Sequence, residues 1–243
     1  MPLLECHDLG ISFGGAKALD AVGLTAEAGV ITGLIGPNGA GKTTLFNCVT
    51  GLLHPTTGRV LLDGRDISPL PPFKRSRLGI ARTFQRLELF TSLSVRDNIR
   101  VAGEIASRWQ RGENDPGREA DRVLDLLGIA HLAGREVTEI PTGMARRVEV
   151  GRAMMTRPQI LLLDEPASGQ DEAETEEFGE LLVQLCAQGT AILLVEHDVS
   201  LVMRVCTRVH VLDFGCIIAS GTPDEIQHDP LVLDAYLGAE LAP

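Results

Sequence analysis

The chain has 243 residues, of which 44% are hydrophobic, and its formal net charge is −11 at pH 7. This length is enough for one large α/β domain, or for a core with a small subdomain. The acidic balance argues against a nucleic-acid-binding protein, which usually carries a basic face. An aromatic content of 4% also gives little material for base stacking.

Signals for export or membrane insertion are not visible in the sequence. No apolar run is long enough to span a bilayer, and the first residues show no basic region followed by an apolar block. The five cysteines are scattered and form no C-x-x-C pair. We therefore expect reduced thiols in a cytosolic protein.

Three short strands are expected near the N-terminus. Residues 3–8 and 22–26 lie on either side of a Gly14-Gly15 turn, and residues 58–64 end in an Asp-Gly turn. Because these strands precede most of the helices, they predict an antiparallel patch beside the main sheet.

A glycine-rich stretch between the second and third of these strands is the most informative part of the chain. It follows an apolar run at 30–35 and fits the pattern G-x-x-x-x-G-K-[ST], with the residues Gly36, Pro37, Asn38, Gly39, Ala40, Gly41, Lys42, Thr43 and Thr44. Glycines allow successive N–H groups to point at phosphate oxygens. Lys42 adds a positive charge for the β- and γ-phosphates, and the Thr43 hydroxyl can bind Mg²⁺. With a helix expected from Thr44 onward, the stretch predicts a nucleotide site rather than a chance Gly-rich turn.

The middle of the chain is predicted to be mainly helical. Residues 93–106 have a helical pattern with Ser94 as N-cap. Residues 107–118 predict a surface loop, and residues 119–128 a second helix with Gly128 as its C-cap.

The second half alternates between helices and apolar strands. The pattern predicts helices at 148–155, 173–186 and 200–206, and strands at 160–163, 191–195, 209–212 and 216–219. Continuous apolar strands alternating with helices indicate a parallel sheet covered on both faces.

Polar residues follow two of these buried strands. The run at 160–163 is followed by Asp164 and Glu165, and ligands of open α/β sheets lie beyond the carboxyl ends of the strands. We assign Asp164 to Mg²⁺ and Glu165 to the attacking water. His197, after the next strand, is placed to bind the γ-phosphate. Gln85 follows a short β-like run, and its neutral amide could touch both Mg²⁺ and water.

These elements, in this order, resemble the ATP-binding cassette (ABC) ATPases along nearly the whole chain. The ordered motifs are the phosphate loop at 36–44, the glutamine loop at Gln85, a signature stretch at 140–144, the acidic strand at 160–165, a D-loop at 168–171 and a switch histidine at His197. The resemblance implies that Phe13 stacks on adenine. It also implies that Thr142 and Gly143 bind the nucleotide held by a second subunit, and that Asp171 acts across the dimer.

The resemblance implies a fold and a division of the chain. The expected fold is a P-loop NTPase α/β core with a parallel sheet, an N-terminal antiparallel β subdomain and an α-helical subdomain. The chain would form a single ABC ATPase domain. Its core, including the β subdomain, would cover 1–86 and 143–220, its helical subdomain 87–142, and its C-terminal tail 221–243.

A narrower resemblance is to the cytoplasmic ATPases of branched-chain amino acid importers. It rests on the stretches at 13–18, 80–85, 146–150, 194–198 and 235–238. It implies ATP and Mg²⁺ as cofactors, a second ABC ATPase subunit (identical or related), two membrane permease subunits and, indirectly, a solute-binding protein. The location implied is cytoplasmic, on the inner face of the cell membrane, with no nucleic-acid partner.

The signature stretch departs from the family pattern. The usual sequence is Leu-Ser-Gly-Gly-Gln, whereas residues 140–144 read Ile-Pro-Thr-Gly-Met. Pro141 has neither a hydroxyl nor an N–H to offer the γ-phosphate. The Thr142 hydroxyl and the Gly143 N–H remain available, so we hypothesise weaker or slower ATP-driven closure.

Several alternatives stay open at this level. Urea and amide importers use similar subunits, and the ATPase of a lipid or lipopolysaccharide exporter has a similar chain end. A non-transport ABC protein acting on DNA or ribosomes would need a long insertion or tandem cassettes, and none is present. A binding-only subunit is disfavoured by the presence of Lys42, Glu165 and His197 together.

Overall fold

The computed structural model describes residues 2–110 and 115–240, with the side chains of 236–240 left outside the description. The strands in these residues are β1 (Pro2–Phe13), β2 (Ala16–Glu27), β3 (Ile31–Ile35), β4 (Thr57–Leu62), β5 (Arg65–Asp66), β6 (Ile80–Arg82), β7 (Ile160–Asp164), β8 (Ala191–Val195), β9 (Arg208–Asp213) and β10 (Cys216–Gly221). The α-helices are α1 (Lys42–Thr50), α2 (Pro72–Arg77), α3 (Val95–Ala106), α4 (Pro116–Leu126), α5 (Thr142–Met154), α6 (Glu172–Ala187), α7 (Val199–Val205), α8 (Pro223–Gln227) and α9 (Pro230–Glu240).

Two sheets form the framework. The strand order is β2-β1-β4-β5 in an antiparallel sheet and β10-β9-β3-β8-β7-β6 in a second sheet. In the second sheet the strands from β9 to β6 run parallel, and only β10 is antiparallel, at one edge. The expected α/β fold with an N-terminal antiparallel patch is therefore confirmed.

The parallel sheet is buried on both faces. All five residues of β3, β7 and β8 are buried. Leu161 and Leu163 of β7 belong to the core beneath the helices, whereas Ile160 and Leu162 belong to the core shared with the antiparallel sheet and α1. Because each strand is covered on both sides, its sequence reads as a continuous apolar run.

The N-terminal hairpin is longer than predicted. β1 and β2 have 12 residues each and extend to the Gly14-Gly15 turn, rather than covering only 3–8 and 22–26. Several register irregularities interrupt their pairing. Each irregularity shifts the inward face of the strand, so the alternation in the sequence marks only its regular parts.

Helix α3 agrees with its predicted start, whereas α4 begins earlier than the sequence pattern indicated. α3 has the predicted N-cap, since Ser94 accepts a hydrogen bond from the Asp97 N–H. α4 begins at Pro116, because Asp115 caps it, so the predicted loop is wrong at its C-terminal end. The part of that loop at 111–114 lies outside the described residues. Gly128 follows the helix in a left-handed conformation, as a C-terminal glycine should.

α5 starts at Thr142, six residues before the predicted start at 148. Pro141 precedes it in an extended conformation and serves as the N-cap. The first turns of this helix are polar in sequence, yet Arg146 and Glu149 are buried. Buried charges hide the apolar stripe on which a sequence-based helix assignment depends.

The C-terminal segment packs back onto the core. Ile226 of α8 and Val232 of α9 belong to the helical side of the core. Thr222 and Glu225 form a capping box that fixes the start of α8. No helix among the described residues combines the length and the apolar character needed to cross a membrane.

Candidate nucleotide site

The phosphate loop links β3 to α1 and depends on its glycines. Gly36 and Gly41 have φ values of 152° and 111°. A Cβ atom on Gly36 would overlap the carbonyl of Leu212, and one on Gly41 would lie 2.6 Å from the carbonyl oxygen of Ala18. The loop is thus wedged against neighbouring backbone, and only glycine fits at these two positions.

The loop surrounds the buried ammonium group of Lys42. Its Nζ donates to the carbonyl oxygens of Gly36 at 2.6 Å and Pro37 at 2.9 Å, and burial lowers the pKa of this lysine. A cavity of about 220 Å³ is lined by the loop residues from Asn38 to Thr44 together with Gln85 and Glu165. The first turn of α1 has no acidic residue, which leaves its N-terminus free to attract an anion. This donor set suits a nucleotide phosphate chain.

Glu165 is the meeting point of three segments. It lies just beyond β7 with φ of 50°, and its N–H donates to the Val195 carbonyl at 2.8 Å. Gln85 Nε2 donates to Glu165 Oε2 at 2.9 Å. On the other side, His197 Nε2 lies 2.5 Å from Glu165 Oε1. The three catalytic candidates from the sequence are therefore adjacent at one edge of the sheet.

Asp164 is held by a residue that the sequence analysis did not select. Its Oδ2 accepts a hydrogen bond from Arg82 Nη2 at 2.8 Å, and Arg82 Nη1 donates to Asn47 Oδ1 at 2.6 Å. The Arg82 guanidinium also lies about 5 Å from the ring centroids of Phe46 and Phe84. Asp164 is not among the residues that line the cavity, whereas Thr43 and Gln85 are. The only sequence signal for Arg82 was a charge in a short strand.

Glu196 is a second residue that the sequence analysis missed. It is buried at the end of β8, where Oε1 accepts from the Ala167 N–H at 2.7 Å and Oε2 from the His197 N–H at 3.1 Å. Burial raises the pKa of this carboxyl. Glu196 thereby ties the turn after Glu165 to the segment that carries His197. A charge directly after an apolar strand was the available signal.

The remaining site candidates lie elsewhere. Phe13 ends β1 and is 50% exposed. Thr142 and Gly143 open α5, while Asp171 is the N-cap of α6 and accepts from the Glu174 N–H at 2.8 Å. None of these four residues lines the cavity at the phosphate loop. A Cβ on Gly143 would lie 3.3 Å from Gln170 Cγ, so the signature stretch packs against the D-loop of its own chain.

Comparison with known proteins identifies the family. A family model described as an ABC transporter matches residues 19–168, which is more than half of the chain. The chain belongs to the ABC transporter family. Members of this family bind nucleotide in their ATP-binding cassette and hydrolyse ATP, so this chain is an ABC ATPase. A second model, described as a branched-chain amino acid ATP-binding cassette transporter, matches residues 216–242.

Several curated relatives are similar over their full length. The high-affinity branched-chain amino acid transport ATP-binding protein BraF of Pseudomonas aeruginosa is 38% identical, with 98% of each chain covered. The protein LivG of Escherichia coli, described in the same words, is 39% identical with the same coverage. A probable LivG of Archaeoglobus fulgidus is 35% identical over 99% of this chain and 97% of the relative.

Solved structures agree with the fold of this ABC ATPase. A nucleotide-free ATP-binding cassette from an ABC transporter superposes with a TM-score of 0.88 at 30% identity, covering 97% of this chain and 99% of the other. The ADP conformation of an ATP-binding cassette superposes with a TM-score of 0.86 at 30% identity, covering 98% and 99%.

Proposed function

We propose that this ABC ATPase energises the import of branched-chain amino acids or related small polar solutes. The observation that carries the proposal is the match of residues 216–242 to the branched-chain amino acid cassette family. Relatives with branched-chain amino acid transport in their descriptions, aligned over nearly the whole chain, support it.

The geometry supports a division of labour around the phosphates. Lys42 and the loop N–H groups would bind the phosphate chain, and Phe13 would stack on the adenine. Glu165 would hold the attacking water and accept its proton, and Gln85 and His197 would orient this carboxylate and the γ-phosphate.

Thr43, Gln85 and Asp164 would supply oxygen ligands of the kind that Mg²⁺ prefers. Thr43 and Gln85 already line the cavity, whereas Asp164 has one carboxylate oxygen engaged by Arg82. When bound, Mg²⁺ would neutralise charge on the phosphates. Among the described residues there is no group of three or more His, Cys, Asp or Glu side chains that could hold a metal ion.

A second ATPase subunit would complete the site. Thr142, Gly143 and Asp171 do not line the cavity at the phosphate loop of their own chain, which is compatible with their assignment to the nucleotide of a partner. With Pro141 in this position, the contact would lack the hydroxyl group that a serine would contribute. We also propose the subdomain boundaries stated above, with 87–142 as the helical arm.

A groove beside the Gln85 loop supports docking of the membrane permeases. A cavity of about 320 Å³ lies between the segment around α2 and β6 and the helices α3 and α5. Leu52 and Phe84 line it and are 51% and 43% exposed. An exposed apolar patch rimmed by charges such as Glu88 and Arg152 is typical of an interaction surface. Docked in this way, the chain would be a cytoplasmic subunit on the inner face of the membrane.

The test is solute-dependent ATP hydrolysis by the assembled transporter. The chain would be purified with its permeases, reconstituted in liposomes and supplied with the solute-binding protein. We expect leucine, isoleucine or valine to stimulate both ATPase activity and uptake, and a Glu165→Gln variant to lower the ATPase rate by about 100-fold or more while nucleotide binding persists. Stimulation by urea or amides alone, or co-purification with a lipid-export complex, would contradict the proposed solute.

A further inference from the structure

One face of α5 holds the backbone of the segment from Phe84 to Glu88. Arg146 donates from Nη1 to the Phe84 carbonyl at 3.1 Å and from Nη2 to the Gln85 carbonyl at 2.6 Å. Glu149 Oε1 accepts from the Glu88 N–H at 2.8 Å. Two side chains one turn apart thus fasten three backbone groups of a loop that lies more than 60 residues earlier in the chain.

The two side chains form a buried pair beneath this loop. Arg146 Nη1 lies 3.0 Å from Glu149 Oε2, and the two residues are 7% and 6% exposed. Arg152, two turns along the helix, donates to the Glu88 carbonyl and stacks over the Phe90 ring. A buried ion pair is a weak source of stability, since apolar side chains of similar volume often do as well. Apolar side chains would not, however, fix the position of the loop carbonyls.

The same helix begins with the signature stretch. Thr142 is its first residue, only one turn before Arg146. Gly143 packs against Gln170 of the D-loop. At the other end of the link, Gln85 reaches Glu165 with its side-chain amide while Arg146 holds its carbonyl. A short chain of direct contacts therefore runs from the start of α5 to Glu165.

We propose that Arg146 and Glu149 are positioning residues that make the segment 84–88 move with α5, so that the position of Thr142 and Gly143 sets the contact between Gln85 and Glu165. This inference rests on the proposed roles of Gln85 and of the signature stretch. When α5 contacts the nucleotide held in the partner's site, the resulting shift of α5 therefore reaches Glu165 of the chain to which α5 belongs. The link consists of rigid helix and direct hydrogen bonds, which transmit displacement without a change of fold.

Hydrogen exchange on the full-length chain tests the mechanical link. The readout is protection of the backbone amides of 84–90, with and without Mg²⁺ and a non-hydrolysable ATP analogue. In the wild type we expect nucleotide to change protection of the Glu88 amide by about fivefold or more. Arg146→Met should abolish this response, and Arg146→Lys, which keeps the charge but donates from a single nitrogen instead of the two that Arg146 uses, should restore part of it.

Arg147→Met is the matched control. Arg147 is the next residue of α5, but it donates to the Leu127 carbonyl and to Glu177 rather than to the loop. This variant should retain the wild-type response. A response in Arg146→Met equal to that of the wild type would overturn the proposal. If Arg146→Met does not fold, Glu149→Gln is measured instead, because it keeps an acceptor for the Glu88 N–H and weakens only the pair.

A double-mutant cycle, measured in kcat, separates this inference from the proposed function. If Arg146 acts through Gln85, kcat of the Gln85→Ala/Arg146→Met double variant should equal that of Gln85→Ala within about twofold. If the double variant instead shows the product of the kcat losses of the two single variants, the positioning role is overturned. If Gln85→Ala leaves kcat unchanged, the catalytic role of Gln85 fails, whereas the exchange result on the loop still decides the mechanical link.

Discussion

The two loops that line the candidate site are fixed in different ways. The phosphate loop at 36–44 is held by backbone geometry, with glycines wedged against the carbonyls of Leu212 and Ala18. The Gln85 loop is held by side chains from a distant helix, mainly Arg146 and Glu149. A loop wedged against backbone can hardly shift, whereas a loop tied to a helix moves when that helix moves. We infer that the phosphate loop is a rigid binding element, whereas the Gln85 loop changes position when α5 moves.

The largest expected effect comes from filling the wedge in the phosphate loop. Gly41→Ala adds a methyl group 2.6 Å from the Ala18 carbonyl oxygen at a φ of 111°. Strain and overpacking together should lower the free energy of unfolding by about 4 kcal/mol. Urea denaturation of the nucleotide-free chain measures this loss, and ADP binding should disappear with it.

Gly39→Ala is the control for this substitution. Gly39 also has a positive φ, of 81°, but an added Cβ would meet no heavy atom within 4 Å. Only backbone strain remains, so we expect a loss of about 1 kcal/mol. Equal losses for the two variants would show that close contact with neighbouring backbone does not fix this loop.

The second effect concerns the pair beneath the Gln85 loop. Arg146→Met leaves Glu149 buried without its cation, and should lower the free energy of unfolding by about 3 kcal/mol at neutral pH. ADP affinity should stay within about twofold of the wild type, since Arg146 does not line the cavity at the phosphate loop. An equally large loss of ADP affinity would mean that the two loops are not independent.

This loss should depend on pH in a defined direction. Burial raises the pKa of Glu149 above its ordinary value, with Arg146 opposing the shift. A carboxyl whose folded-state pKa is raised favours folding in its protonated form, so the stability it contributes is present at low pH and is lost as pH rises through the folded-state pKa. The Arg146→Met variant should therefore be closest to the wild type near pH 4. A constant difference across pH would contradict this cause.

The smallest expected effect lies at the start of α5. Pro141→Ser supplies the hydroxyl and the N–H that position 141 lacks. One added hydrogen bond to a charged phosphate is worth about 1.5 kcal/mol, so the ATPase rate of the assembled transporter should rise by up to about tenfold. An unchanged rate would show that Thr142 and Gly143 already provide the full contact.

Local patterns carried most of the fold prediction. Buried strands such as β7 and β8 are visible because both of their faces are covered, and Ser94 marks the start of α3 through its own side chain. The start of α5 was missed because its buried face carries charges rather than apolar residues. The extent of β1 was missed because its irregular pairing breaks the alternation.

The sequence by itself determined the phosphate loop, the alternation of strands and helices in the second half, and the choice of Gln85, Glu165 and His197, which lie side by side. These features follow from local chemistry, because a glycine-rich turn, an apolar run and the end of a strand can each be recognised from residues that are adjacent in the sequence. Only the tertiary structure decided that Arg82 engages Asp164, that Glu196 ties the two strand ends together, and that Arg146 and Glu149 hold the Gln85 loop. The role of a buried charge depends on the partner that it contacts. That partner is distant in sequence, so it cannot be identified from the neighbouring residues of a single sequence.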